Sequence, residues 1–269
     1  MALKVFKNAH GKLRNIWWVV IFFLILASLL FPLIFISKQY NFEVSLTCQG
    51  IIILVTSVIC QLLSRNPIYN LVGKLNFTWF KELIFGLLVG AFLMGIPALI
   101  LTAFGFVSWQ TSSFSYSTIV SGLTLFVAVA LVEELLFRGF IFQRLIDAFG
   151  QWPAQLVIAG LFLLTHLNNP GMTGITKVLA SINIFIASLM FGIAYIKTKK
   201  LAMPLGLHIM ANFMQGTILG FGVSGEQETS LFKPVFNHSF IWLTGGQFGL
   251  EASVLGLLSV FFITILFYK

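Results

Sequence analysis

The run LVEELLFRGF, Leu131 to Phe140, places two glutamates and an arginine inside an apolar stretch. Glu134 and Arg138 are four apart, so on a helix they share a face and can pair. Glu133 points about 100° away and has no such partner. A carboxylate left unpaired in apolar surroundings is a candidate general base. Further on, His166 lies in LFLLTHL, four residues after Phe162. His208 and Asn212 lie in LGLHIMANF, again four apart and on one helix face. A glutamate with a histidine can activate a water. A histidine with an asparagine can donate hydrogen bonds to a developing oxyanion. These are the parts needed to hydrolyse an amide without a serine or cysteine nucleophile. The same residues also admit a plainer reading, in which Glu134 and Arg138 fix helix packing and the histidines bond between helices. Zinc is the rival chemistry, because Glu133, His166 and His208 could supply the three ligands of an open catalytic site. The chain has no HExxH and no histidine pair at i,i+4, the spacing that places two zinc ligands on one helix face. Hydrolysis without a cofactor is therefore the expectation, with zinc as the alternative.

The elements that must position these groups are membrane helices. Of the 269 residues, 58% are hydrophobic and only 9% are charged, and the mean hydropathy is +0.99. A water-facing surface needs about 25–35% charged residues, so most of this chain must face lipid. The net charge of +8 sits mainly in loops between apolar runs. It points to membrane orientation rather than to nucleic acid. A spanning helix needs ~20 mostly apolar residues, and about eight runs qualify. They are Trp17 to Ser37, Val44 to Leu63, Phe80 to Trp109, Ser117 to Ile146, Gln151 to Leu167, Ile175 to Ile196, Leu201 to Phe221 and Gln247 to Phe267. The first is too long for a cleaved signal segment and reads as a retained helix. The fourth is too long for one straight span and is expected to turn near Gly139. The expected fold is a single all-α polytopic domain over residues 1–269.

Of the 16 lysines and arginines, only Lys38, Lys177 and Lys233 fall outside the loops and termini of one side. Positive residues stay cytoplasmic, so both termini are expected there and the Gly222–Gly246 loop outside. The site poses a depth problem. A straight fifth helix from Gln151 carries His166 ~22 Å along its axis, whereas His208 lies only ~10 Å from Leu201. The two meet only if helices tilt, break or start at different levels. Cys48 and Cys60 share one apolar run and suggest no disulfide or zinc framework. Gly86 with Gly90, and Gly216 with Gly220, are expected to mark close helix packing inside one bundle. Glu251 is either an interfacial acid or a group supporting the site.

In order, EELLFR, FLLTH and HIMAN fit the patterns EExxxR, FxxxH and HxxxN. Together they resemble the CPBP family of CAAX prenyl proteases and bacteriocin-processing, or Abi, membrane proteins. The likeness covers about residues 117–221. It implies an intramembrane endopeptidase of the cell membrane, acting on a peptide or membrane-protein substrate. It also implies that Glu133 and His166 activate water, that His208 and Asn212 form the oxyanion hole, and that Glu134 and Arg138 hold the motif. Cleavage is expected near the cytoplasmic side of a bacterial membrane. A non-enzymatic bacteriocin-immunity or scaffold role is the alternative.

Overall fold

A computed structural model describes residues 3–7, 11–112, 115–238 and 240–269. It consists of helices α1 (Leu3–Phe6), α2 (Asn15–Tyr40), α3 (Leu46–Leu63), α4 (Phe77–Ala103), α5 (Tyr116–Glu134), α6 (Phe140–Phe149), α7 (Gln151–His166), α8 (Gly174–Thr198), α9 (Ala202–Phe213), α10 (Ile241–Thr244) and α11 (Val254–Tyr268). Two strands, β1 (Val107–Thr111) and β2 (Phe232–Phe236), complete it. Every expected apolar run is mainly helical. Among the described residues, five helical stretches are long and apolar enough to cross a membrane: α2, α3, α4, the continuous 116–149 stretch and α8. Helices α7, α9 and α11 are apolar but shorter, at 16, 12 and 15 residues. The protein is thus a predominantly helical, multi-pass membrane protein.

Burial is arranged as lipid requires. Large apolar side chains such as Phe31, Phe35 and Leu99 are about 70% exposed (69%, 71% and 69%), which in water would be an aggregation surface. Helix α2 has only 17% of its apolar window buried, whereas α8 has 61%, so α8 runs through the middle of the bundle. Two apolar clusters form the interior. One gathers Phe22, Phe140, Phe142 and Ile158. The other gathers Leu93, Leu101, Met190, Leu207 and Phe221.

Helices α4 and α9 pack through glycines. A Cβ at Gly86 would meet the Met203 carbonyl oxygen, one at Gly90 the Leu207 carbonyl oxygen, and one at Gly206 the Leu83 carbonyl oxygen. Gly86 and Gly90 therefore allow intramolecular backbone contact, as their spacing suggests. Gly216 and Gly220 do not form such a stripe. Gly216 lies against the Phe126 and Val223 side chains, and Gly220, at φ +70°, ends its helix beside the Phe232 carbonyl.

The turn expected in the fourth run is present. A π-helical turn, Leu135–Gly139, follows α5, and Gly139 leaves helical geometry at φ −74°, ψ −122° before α6 begins. The third run stops earlier than expected. Gly105, at φ +73°, turns the chain after α4, and VSWQT becomes β1, paired antiparallel with β2. This small ribbon departs from the all-α expectation. Its alternating Val, Trp and Thr suit a strand, and the apolar composition hid it inside a helical run.

The loops fall into two groups at opposite ends of the bundle. At one end, Gln143 donates to the Asn70 carbonyl (2.7 Å), the Leu201 amide to the Val72 carbonyl (3.1 Å), and Lys200 bridges Glu82 (2.9 Å). At the other end, β1 pairs with β2, and Asn169 donates to the Ser224 carbonyl (3.0 Å). The 25 residues of α8, ~37 Å at the helical rise, separate the two groups.

Candidate active site

The glutamate pair ends α5, and the π turn that follows re-aims the next helix. Arg138 is fully buried, with its Nη1 donating to Glu134 Oε1 at 3.2 Å. Its Nη2 donates to the Ser188 hydroxyl (2.7 Å) and carbonyl (3.2 Å) on α8. The guanidinium also lies over the rings of Phe162, 4.8 Å from its centroid, and Phe191, at 5.2 Å. A cation within about 6 Å of a ring face is attracted by the ring quadrupole. The anticipated i,i+4 pair is therefore present, and it ties α5, α7 and α8 together at one point.

Glu134 does more than pair. Its Oε1 is also 3.0 Å from His208 Nδ1, while Phe191 stacks on the His208 ring at 4.9 Å and 18°. The ring is held on one edge and one face, so Nε2 has a fixed direction. It faces Glu133 Oε2 at 3.8 Å. From the other side His166 Nε2 stands 4.0 Å from Glu133 Oε1. The His166 ring is fixed in turn by Nδ1, which lies 2.7 Å from the Phe162 carbonyl oxygen. Phe162 packs against the same ring at 4.6 Å. The i−4 spacing of FLLTH thus has a physical basis, because Phe162 supplies both a backbone acceptor and a ring contact.

Glu133, His166, His208 and Asn212 all line one cavity of about 370 Å³. The structure brings all four residues together. His166 at the end of α7 and His208 in the middle of α9 nonetheless both reach Glu133, so the two histidines meet despite their different distances along their helices. Leu93, Met94 and Met190 from one apolar cluster, and Phe162 and Ile184 from the other, contribute to the walls. The site therefore lies where the two halves of the interior meet. Asn212 is 7% exposed and borders the cavity on the same helix face as His208.

Other residues of the site escape sequence reasoning. Ser188 and Phe191 support Arg138 and His208 from α8, with no motif to announce them. Asn183, also on α8, lines the cavity. Glu251 lines it as well, its Oε2 accepting from both the Ser224 amide and hydroxyl at 2.9 Å. Its place beside the site fits the supporting role rather than an interfacial one. The loop carrying Ser224 folds inward over the helices, with Phe221 and Phe248 buried beneath it.

Glu226 and Glu228 are exposed and border the same cavity, so they mark its mouth. The mouth lies in the loop group of Asn169 and Ser224, at the opposite end from Lys199 and Lys200. The cavity's acidic border thus lies away from the lysine-rich end of the bundle.

For a metal, the groups available are the two Nε2 atoms and the Glu133 carboxylate. Among the described residues, no three His, Cys, Asp or Glu side chains are placed to hold a metal ion. Both cysteines are free thiols.

No protein of curated function matches the chain. Residues 115–214, which hold the glutamate pair, Arg138, both histidines and Asn212, match the family described as type II CAAX prenyl endopeptidase Rce1-like. Over that segment the chain is similar to CAAX-type membrane proteases, the family its three motifs resemble.

Proposed function

We propose that this protein is an intramembrane endopeptidase that hydrolyses a peptide bond with a water activated by Glu133 and His166. One observation carries the reading: a carboxylate with no lysine or arginine partner among the described residues faces two imidazole Nε2 atoms, at 4.0 and 3.8 Å, in a cavity. At those separations a water in the cavity beside the groups can hydrogen-bond to the carboxylate and an imidazole together. Glu133 accepts a proton from it as its oxygen attacks the peptide carbonyl carbon. His166 Nε2 orients the same water. The carbonyl oxygen becomes an oxyanion, and His208 and Asn212 lie where they can donate to it. His208 has a carboxylate near each nitrogen, Glu134 at Nδ1 and Glu133 at Nε2. Collapse of the intermediate breaks the C–N bond, and the proton held by Glu133 passes to the leaving amine. No metal enters these steps, so a chelator is expected to leave turnover unchanged.

The substrate is a peptide or a membrane protein, reached through the mouth at Glu226 and Glu228. With the lysine-rich end cytoplasmic, in the setting of a bacterial inner membrane, that mouth faces outward. Ser224 and Glu251 lie beyond residues 115–214 yet border the cavity, which supports treating residues 1–269 as one functional unit.

Glu133→Gln tests the reading. It keeps the shape and removes the base, and loss of general-base help costs ~10²–10⁴-fold in rate. In complementation of a deletion strain, the variant is expected to accumulate normally in membranes and fail to restore function. Full complementation at normal levels overturns the protease reading and favours an immunity or scaffold role.

A further inference from the structure

The cavity carries an acidic excess that hydrolysis does not use. Besides Glu133, it is bordered by Glu226, Glu228 and Glu251, and its only other titratable groups are His166 and His208. Among the described residues lining it there is no lysine or arginine. Glu226 and Glu228 take part in no salt bridge among the described residues. Glu228 is held above the ordinary carboxylate range by partial burial and by the neighbouring charge of Glu226. Like charges gathered without a counter-ion are mutually unfavourable, and a bound cation relieves them.

A second, independent feature points to what enters. Asn183 on α8 is 1% exposed, lines the cavity, and has an Nδ2 with no hydrogen-bond partner among the described residues. A buried donor left unpaired is costly unless a ligand satisfies it. The acceptor it lacks is of the kind an extended peptide offers at each residue, a backbone carbonyl.

We infer that the cavity selects a peptide segment bearing a lysine or arginine close to the scissile bond. In this arrangement the cationic side chain sits among Glu226, Glu228 and Glu251, and the Asn183 amide holds a backbone carbonyl of the same segment. Apolar walls such as Leu93, Met94 and Phe126 take the flanking residues. The substrate is then a largely apolar peptide with one positive charge near the cut. This inference rests on the proteolytic reading for the word scissile, but its binding content does not.

Binding is therefore measured on the Glu133→Gln variant in detergent, where turnover does not intervene. The probes are two fluorescent, end-capped apolar decapeptides, identical except for a central lysine in one and norleucine in the other. The lysine peptide is expected to bind about tenfold tighter, the scale of one charge-assisted hydrogen bond. Adding E226Q and E228Q, both at exposed loop positions, is expected to bring the two affinities together. Asn183→Ala is expected to weaken both peptides equally. Equal affinities for the two peptides, no binding of either, or a lysine preference that survives E226Q/E228Q overturns the inference. Failure of the protease reading looks different: Glu133→Gln then complements fully while the lysine preference and its loss in E226Q/E228Q persist.

Discussion

Glu134 connects the parts of the site that hold and the parts that act. Its Oε1 lies 3.2 Å from Arg138 Nη1 and 3.0 Å from His208 Nδ1. Removing one member of a buried pair leaves an uncompensated charge, at about 3–5 kcal/mol. Arg138→Ala is therefore expected to lower the amount of folded protein sharply, because it leaves Glu134 buried beside His208. Glu134→Ala is expected to do the same, since Arg138 is fully buried and cannot reach solvent. Glu133→Gln, at a partly exposed carboxylate, is expected to leave yield and melting temperature near wild type. Thermal unfolding of the three variants in detergent checks this order. Equal, wild-type stability in all three would count against a structural role for the pair. Asn212→Ala separates the remaining role, since loss of one oxyanion donor costs ~10²–10³-fold in turnover with little reason for a fold defect.

At the scale of elements, the close approach of α4 and α9 keeps His208 and Asn212 in place. Gly86 and Gly90 face backbone atoms of α9, which cannot swing aside as a side chain can. Gly86→Ala and Gly90→Ala are each expected to push the helices apart, at about 1–3 kcal/mol for overpacking, and to lower activity with stability. Gly95→Ala, on the same helix, is the control, because nothing lies within 4 Å of the added Cβ. It is expected to be neutral or slightly stabilising, as alanine favours helix over glycine. If thermal melts show Gly86→Ala and Gly95→Ala behaving alike, the glycine contact is not holding the site. The sequence made this contact legible through spacing alone, and it did the same for Glu134 with Arg138 and for the turn near Gly139. It could not expose β1, because Val107 to Trp109 continue an apolar run and strand pairing depends on a partner more than a hundred residues away. Ser188 and Phe191 were equally silent, since their roles come only from where α8 crosses α5 and α9. Glu251 was visible as an isolated acid, but its place at the cavity depends on how the 219–231 segment folds inward.

The whole molecule has two unlike ends. One carries Lys74, Arg144, Lys199 and Lys200 around a shallow pocket; the other carries the β-ribbon, Glu226, Glu228 and the mouth of the cavity. Orientation therefore decides from which side a substrate enters. Lysine and arginine count strongly in short loops near helix ends, whereas acids carry little weight. Charge alone then assigns the lysine-rich end to the cytoplasm, although the site's own acids add nothing to that argument. The assignment is checked with single cysteines placed at Lys199 and at Gln227, after replacing Cys48 and Cys60. A membrane-impermeant maleimide on intact cells is expected to label the cysteine at Gln227, which is exposed, and to label that at Lys199 only after the cells are opened. The reverse pattern would turn the molecule over and put the cavity mouth in the cytoplasm. It would leave every distance in the site unchanged, but the peptide reaching Glu133 would then come from inside the cell.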